Sequence, residues 1–174
     1  MTPSELLREQ IRAFIGPYER YHDSKTNMAY LAAAAYVGGG ISMIARTEPP
    51  WRDYSCFDLF MLIAFVAVLT SIVFTFVWRE LDGRRYASDM IGAFINVFST
   101  SLTTEFDASK LELVACPRFK GDDKWPRAIA EAFEASIEKT HKRIWMARFL
   151  PMAAMCLTLL AFFWQVGSIL LSWA

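Results

Sequence analysis

Charged residues fall in blocks along this chain. No Asp, Glu, Lys or Arg occurs from Thr26 to Ala45, from Leu59 to Trp78, or from Phe149 to Ala174, which leaves gaps of 20, 20 and 26 residues. An α-helix rises ~1.5 Å per residue, so each gap is long enough to cross a hydrocarbon core about 30 Å thick. The pattern predicts a transmembrane helical hairpin over 26–78 and a third transmembrane helix over 149–174. The charged remainder forms a cytoplasmic amphipathic N-terminal helix (1–25) and a cytoplasmic helical region (79–148). The expected fold class is an all-α integral membrane protein with three transmembrane helices and a cytoplasmic helical extension. The same lengths would otherwise make three fully buried core helices of a soluble protein.

The charged segments carry helical periodicity of their own. Thr2, Pro3 and Glu5 form a helix-start signal, with Thr2 as N-cap, Pro3 at the first helical position and Glu5 as the capping-box partner. Leu7, Ile11, Phe14 and Tyr18 follow at helical spacing, and Gly16-Pro17 is expected to interrupt the pattern. This stripe is expected to pack within its own chain. From Ala87 onward, Met90, Ile91, Phe94, Ile95, Phe98 and Leu102 mark one apolar face of a helix that continues or follows the second span. The opposite face, Ser88, Asn96, Ser99, Thr100 and Thr103, is so poor in charge that another helix is expected to cover it. The segment KLELVAC, Lys110 to Cys116, predicts a short strand, with no extended sheet. Pro126 then opens a helix with Ile129, Phe133, Ile137 and Ile144 on one face and Glu134, Glu138 and Lys142 on another. Pro151 is expected to start a new helix or to bend a continuous one at the membrane boundary.

Composition agrees with the pattern: the chain is 55% hydrophobic and 15% aromatic, and its mean hydropathy is +0.26. Its 18 basic and 18 acidic residues balance overall but not locally. The N-terminal segment holds Arg8, Arg12, Arg20 and Lys25, the first loop only Arg46 and Arg52, and the stretch from Arg79 to Arg148 the other twelve. Positive residues collect on the cytoplasmic side, which predicts a cytoplasmic N-terminus and long loop in the inner membrane, with the short loop and the C-terminus outside. Trp78 and Trp145 fall at one membrane boundary and Trp51, Tyr54 and Trp173 at the other, as interfacial anchors do. The first 25 residues mix both charge signs without an apolar run, unlike a cleaved targeting signal.

Chemistry-bearing motifs are absent. The chain has no GxxxxGK[ST] or GxGxxG phosphate loop, no GxSxG elbow and no HExxH pair. Cys56, Cys116 and Cys156 are too far apart for a disulfide framework or a zinc site, and His22 and His141 each stand alone among charged residues. We therefore expect no enzyme activity, no catalytic residues, no metal and no cofactor. No ionisable residue lies within the three spans, which disfavours a proton relay or ion-coupled carrier.

The first span contains AAAAYVGGGIS, in which Ala34 with Gly38 and Ala35 with Gly39 stand four apart. Such small-xxx-small pairs let another helix approach closely, either within the chain or across a subunit interface or pore. Gln165 carries a side-chain amide in the third span and needs a partner outside its own helix; such interhelical bonds contribute about 0.6 to 2 kcal/mol. Three helices do not enclose an aqueous path alone, so a channel requires a homo-oligomer. Its candidate pore or interface residues are Gly38, Gly39, Gly40, Ser42 and Gln165. Arg84, Arg85, Lys139, Lys142 and Arg143 are candidates for sensing a cytoplasmic ligand or protein regulator, or for holding anionic lipid of the bilayer. The alternative is a non-catalytic accessory subunit that joins a larger membrane complex through the small-residue groove and the Ala87 to Leu102 helix.

The order of a short cytoplasmic N-terminal helix, paired spans from Thr26 to Trp78 and long cytoplasmic helices resembles small membrane effectors of bacterial antiphage defence, including the SLATT-like proteins. The third span, Phe149 to Ala174, departs from their usual two-span pattern. The resemblance implies an antiviral, oligomeric membrane-perturbing function that responds to a nucleotide or nucleic-acid signal.

Overall fold

The computed structural model describes residues 2–45, 54–116, 124–140 and 144–173. Four α-helices account for most of them: α1 Pro3–Ile44, α2 Cys56–Thr103, α3 Arg127–Thr140 and α4 Ile144–Trp173. A single 3-10 turn, Ala108–Leu111, and two short strands, β1 Leu113–Ala115 and β2 Lys124–Pro126, lie between α2 and α3. The chain divides into two compact units, Met1–Lys25 with Asp82–Trp145, and Thr26–Leu81 with Met146–Ala174.

The capping box at the start of α1 forms as expected. The Thr2 amide donates to Glu5 Oε2 at 2.7 Å, and the Glu5 amide donates to Thr2 Oγ1 at 3.3 Å. The bond to the Thr2 backbone holds the Glu5 carboxyl below its usual pKa. The expected interruption at Gly16-Pro17 does not occur, for α1 runs through Pro17 as one helix. Proline's fixed φ is helical, and its missing N–H removes only one bond, to the carbonyl of Ala13. Ala13 and Pro17 both lie on the exposed side of the helix, where water can take the place of the lost donor. Likewise α2 is a single helix of 48 residues, so the amphipathic segment after the second span continues that span.

In the first unit the stripe on α1 packs within its own chain. Leu7 and Ile11 are buried with Met90, Phe94, Ile129 and Phe133, and Tyr18 packs against the same cluster. Ser4 is buried as well, and its Oγ accepts from the Phe106 amide at 3.0 Å. The buried face of α2 is turned relative to expectation. Met90 and Phe94 are inside, whereas Ile95 and Leu102 are exposed, and Ala87, Ala93, Val97 and Ser101 occupy the enclosed positions. Small residues are needed there because helices approach closely: a Cβ at Gly92 would lie 3.1 Å from Ser136 Oγ of α3.

No other described part of the chain covers the uncharged face of α2. Ser88, Asn96, Ser99, Thr100 and Thr103 are all exposed. Ser99 and Thr100 donate to the carbonyl of Asn96, and Thr103 donates to that of Thr100, so their hydroxyls are satisfied without a covering helix. The predicted strand forms, pairing antiparallel with β2 in the register Leu113↔Pro126, Val114↔Trp125 and Ala115↔Lys124. Pro126 thus ends a strand, and α3 begins one residue later, at Arg127. On α3, Ile129 and Phe133 are buried and Ile137 packs beside them. Glu134 is exposed. The Ile144, Glu138 and Lys142 side chains lie outside the described set.

In the second unit the core is thin. Ala29, Ala33, Val77, Leu81, Met152 and Met155 form one cluster, and Leu59, Phe162 and Val166 form another. Pro151 sits inside α4 rather than at its start. Three stretches, in α1, in α2 and over Phe149–Ser168, are long and apolar enough to cross a membrane, yet only 11%, 6% and 33% of their most apolar windows is buried. The apolar side chains of this unit point mostly outward, among them Leu31, Phe57, Phe65, Ile72, Leu157 and Trp164.

Candidate functional site

The small residues of α1 divide between two faces. Ala29 and Ala33 are buried. Gly40 continues that side, and a Cβ added to it would overlap the Thr158 Cγ2 methyl of α4. Thr158 is itself buried, and its hydroxyl donates to the Ala154 carbonyl at 2.9 Å, so the methyl is left to face the glycine. Gly40 is therefore a point of close contact between α1 and α4. Ala34, Ala35, Gly38 and Gly39 lie on exposed positions. A Cβ at Gly38 or Gly39 would meet nothing within 4 Å. Neither small-xxx-small pair is buried among the described residues.

Polar groups tie the helices of this unit together at two levels. Thr70 Oγ1 uses its one proton on the Val66 carbonyl at 2.7 Å, so the Tyr36 hydroxyl, 2.7 Å away, is the donor in the bond between α1 and α2. At the far end of α1, Gln165 Nε2 donates to the Ile44 carbonyl at 3.2 Å. That carbonyl belongs to the last turn, where no further helical N–H exists to meet it. Gln165 thus caps one helix from another, while its Oε1 is enclosed without a partner among the described residues. Ser42 is exposed and returns its proton to the Gly38 carbonyl at 2.8 Å. Cys56 and Cys156 are exposed, Cys116 is buried, and all three are free thiols.

Of the five basic candidates, Arg84 and Arg85 have described side chains. In the first unit, Arg84 Nε donates to His22 Nε2 at 3.4 Å, and His22 Nδ1 lies 3.2 Å from Asp23. Arg85 pairs with the buried Asp89 at 3.8 Å. Gly83 allows this region to close, since a Cβ there would stand 3.2 Å from the Tyr21 hydroxyl. Lys139 lies on α3, with its side chain outside the described set, as are Lys142, Arg143 and His141 altogether. Among the described residues no group of three or more His, Cys, Asp or Glu could hold a metal ion.

Sequence reasoning singled out Gly40 with its neighbours but had no means to separate it from Gly38 and Gly39. It also missed the Tyr36–Thr70 bond. Tyr36 stands alone in a run of Ala and Gly, and a lone hydroxyl there was the available signal. The fold defines the class of this protein: an all-α chain with three helices long and apolar enough to cross a membrane. Comparison with protein families, curated proteins and solved structures finds no match.

Proposed function

We propose that this chain is a multi-pass membrane protein that assembles with copies of itself into a channel, gated from the cytoplasmic side by a ligand or protein regulator. The observation that carries the reading is the exposed face of α1, where Ala34, Ala35, Gly38 and Gly39 leave open space beside the helix. A lone membrane helix gains nothing from such a groove, whereas a second helix seated in it gains close backbone contact. Exposed apolar side chains around the same unit fit lipid, since soluble monomers rarely leave contiguous apolar patches beyond several hundred Å². In this reading the first unit and both charged segments are cytoplasmic, following the Lys and Arg distribution, and the C-terminus is outside. A role as an antiphage effector would follow from the resemblance in organisation alone.

The test is native mass spectrometry of the chain in lipid nanodiscs, followed by conductance across a planar bilayer. A single closed stoichiometry with discrete current steps is expected. Gly39→Leu, which points into open space, should abolish assembly and current while the variant still inserts. A monomer without current would overturn the channel and send the same groove to a larger complex, as an accessory subunit. That subunit would no longer have the Met90 and Phe94 face to offer, because its own chain buries both.

A further inference from the structure

The first unit contains a cavity of about 350 Å³ lined by residues from α1, β1, β2 and the start of α3. Its volume lies at the lower end of the range for small-molecule sites. The lining is mostly apolar. Phe14 and Trp125 meet there edge to face, with ring centroids 5.3 Å apart at an interplanar angle of 63°, and Leu113 and Ile129 add aliphatic surface. Trp125 also contacts Phe94 at 5.9 Å and Tyr18 at 6.4 Å, so the core fixes this ring in place. Phe14 follows Leu7 and Ile11 on the stripe that the core buries, yet it is 43% exposed, and Leu113 is 60% exposed. Both leave apolar surface at the mouth of the cavity.

Charge gives the cavity its chemical direction. Lys124 lines it and no acidic residue does. Lys124 is exposed and makes no ion pair with a described residue, whereas Arg127 of α3 and Lys110 of the 3-10 turn are engaged by Glu112 and Glu131. One unmatched positive charge therefore stands beside an apolar wall. A ligand suited to both is apolar over most of its body and carries a single negative charge at one end. A cation would be repelled, and a dianion would bring a second charge against apolar surface without a partner. The two rings favour a flat body, because a third ring can stack offset on one of them and meet the other by its edge.

We infer that the cavity beside Phe14, Lys124 and Trp125 binds an aromatic monocarboxylate, its ring against Phe14 and Trp125 and its carboxylate on the Lys124 ammonium. Apolar contact supplies most of the affinity, and the charge sets which end points outward. The assignment concerns the first unit alone and stands whether or not the chain conducts, so its failure would leave the channel reading untouched.

The full chain in nanodiscs of zwitterionic lipid is titrated calorimetrically with indole-3-acetate, with tryptamine as the cationic counterpart and with acetate as the charge without a ring. Empty nanodiscs give the contribution of partitioning into lipid. Saturable binding is expected of indole-3-acetate and of neither control. Lys124→Met should weaken it about fivefold, the upper range for an exposed ion pair, and Phe14→Ala about tenfold through the lost ring contact. Unchanged circular dichroism and melting temperature establish that each variant is folded, and Lys124→Met carries the test alone should Phe14→Ala fail to fold. Absence of saturable binding by the wild-type chain, equal binding of tryptamine, or an affinity that Lys124→Met leaves unchanged would overturn the assignment.

Discussion

Among the described glycines, Gly40 has the tightest surroundings. Its Cβ position overlaps Thr158 Cγ2, and forcing a methyl into a packed interface costs typically about 1–3 kcal/mol. Gly40→Ala should therefore lower the unfolding temperature in detergent, and Thr158→Ser, which removes the opposing methyl, should restore much of it in the double variant. Gly38→Ala should leave the unfolding temperature of the dissociated single chain unchanged, as open space surrounds that glycine within the chain. The Glu5 carboxyl offers a second test at this scale. Its folded pKa is lowered, chiefly by the bond from the Thr2 backbone, so its contribution to folding is complete above the ordinary value of 4.5 and is lost as the pH falls through the lower folded value. Glu5→Gln should abolish that acid-side loss of helix stability, read by thermal melts of wild type and variant between about pH 7 and about pH 3.

Among the elements, α1 carries the clearest consequence of local sequence set against context. Gly16 and Pro17 both weaken a helix, yet the helix persists, because Tyr18 packs with the buried cluster just beyond them and Leu7 and Ile11 hold the turns before. Gly16 has nothing within 4 Å of its Cβ position, so Gly16→Ala should stabilise the first unit by up to about 1 kcal/mol. A rise in melting temperature without change in oligomeric state would show it. On α2 the failure is of another kind. Met90, Phe94 and Phe98 follow the period of one face, and so do Ile91, Ile95 and Leu102, and the broad apolar pattern left its centre undefined. The approach of α1 and α3 selected the side on which Ala87, Ala93 and Gly92 are small enough to admit them.

At the scale of the whole molecule, the second unit leaves many of its largest apolar side chains outside, unlike a soluble domain. Leu31, Phe57 and Trp164 are 69%, 71% and 83% exposed, while Ala29 and Ala33 are buried. If lipid covers that surface, the chain should stay with the membrane through alkaline extraction, and Ile72→Arg should impair its insertion, at a cost of about 2.5–3.5 kcal/mol on insertion scales. Orientation can be read with the native thiols. Cys56 is exposed just before the apolar run of α2, so in the proposed topology a membrane-impermeant maleimide added to intact cells should label it and not Cys116. Labelling of Cys56 only after the cells are permeabilised would invert the topology, whereas Cys116, buried in the fold, stays unlabelled on either side.

The linear arrangement of charge was sufficient to determine that this chain is helical and that three of its segments are long and apolar enough to span a bilayer, since both properties depend only on the length and composition of continuous segments. The capping box, the short strand from Leu113 and the buried stripe of Leu7 and Ile11 were legible for the same reason: each arises between residues a few positions apart. Which glycine is used could not be read there. Gly38, Gly39 and Gly40 are chemically identical and adjacent, but successive residues on a helix point about 100° apart, and only the position of Thr158 on a distant segment singles out Gly40. The partners of Gln165 and Tyr36 were likewise decided by tertiary structure. Each joins residues far apart in the chain, and the spacing within any one segment carries no information about what another segment brings against it.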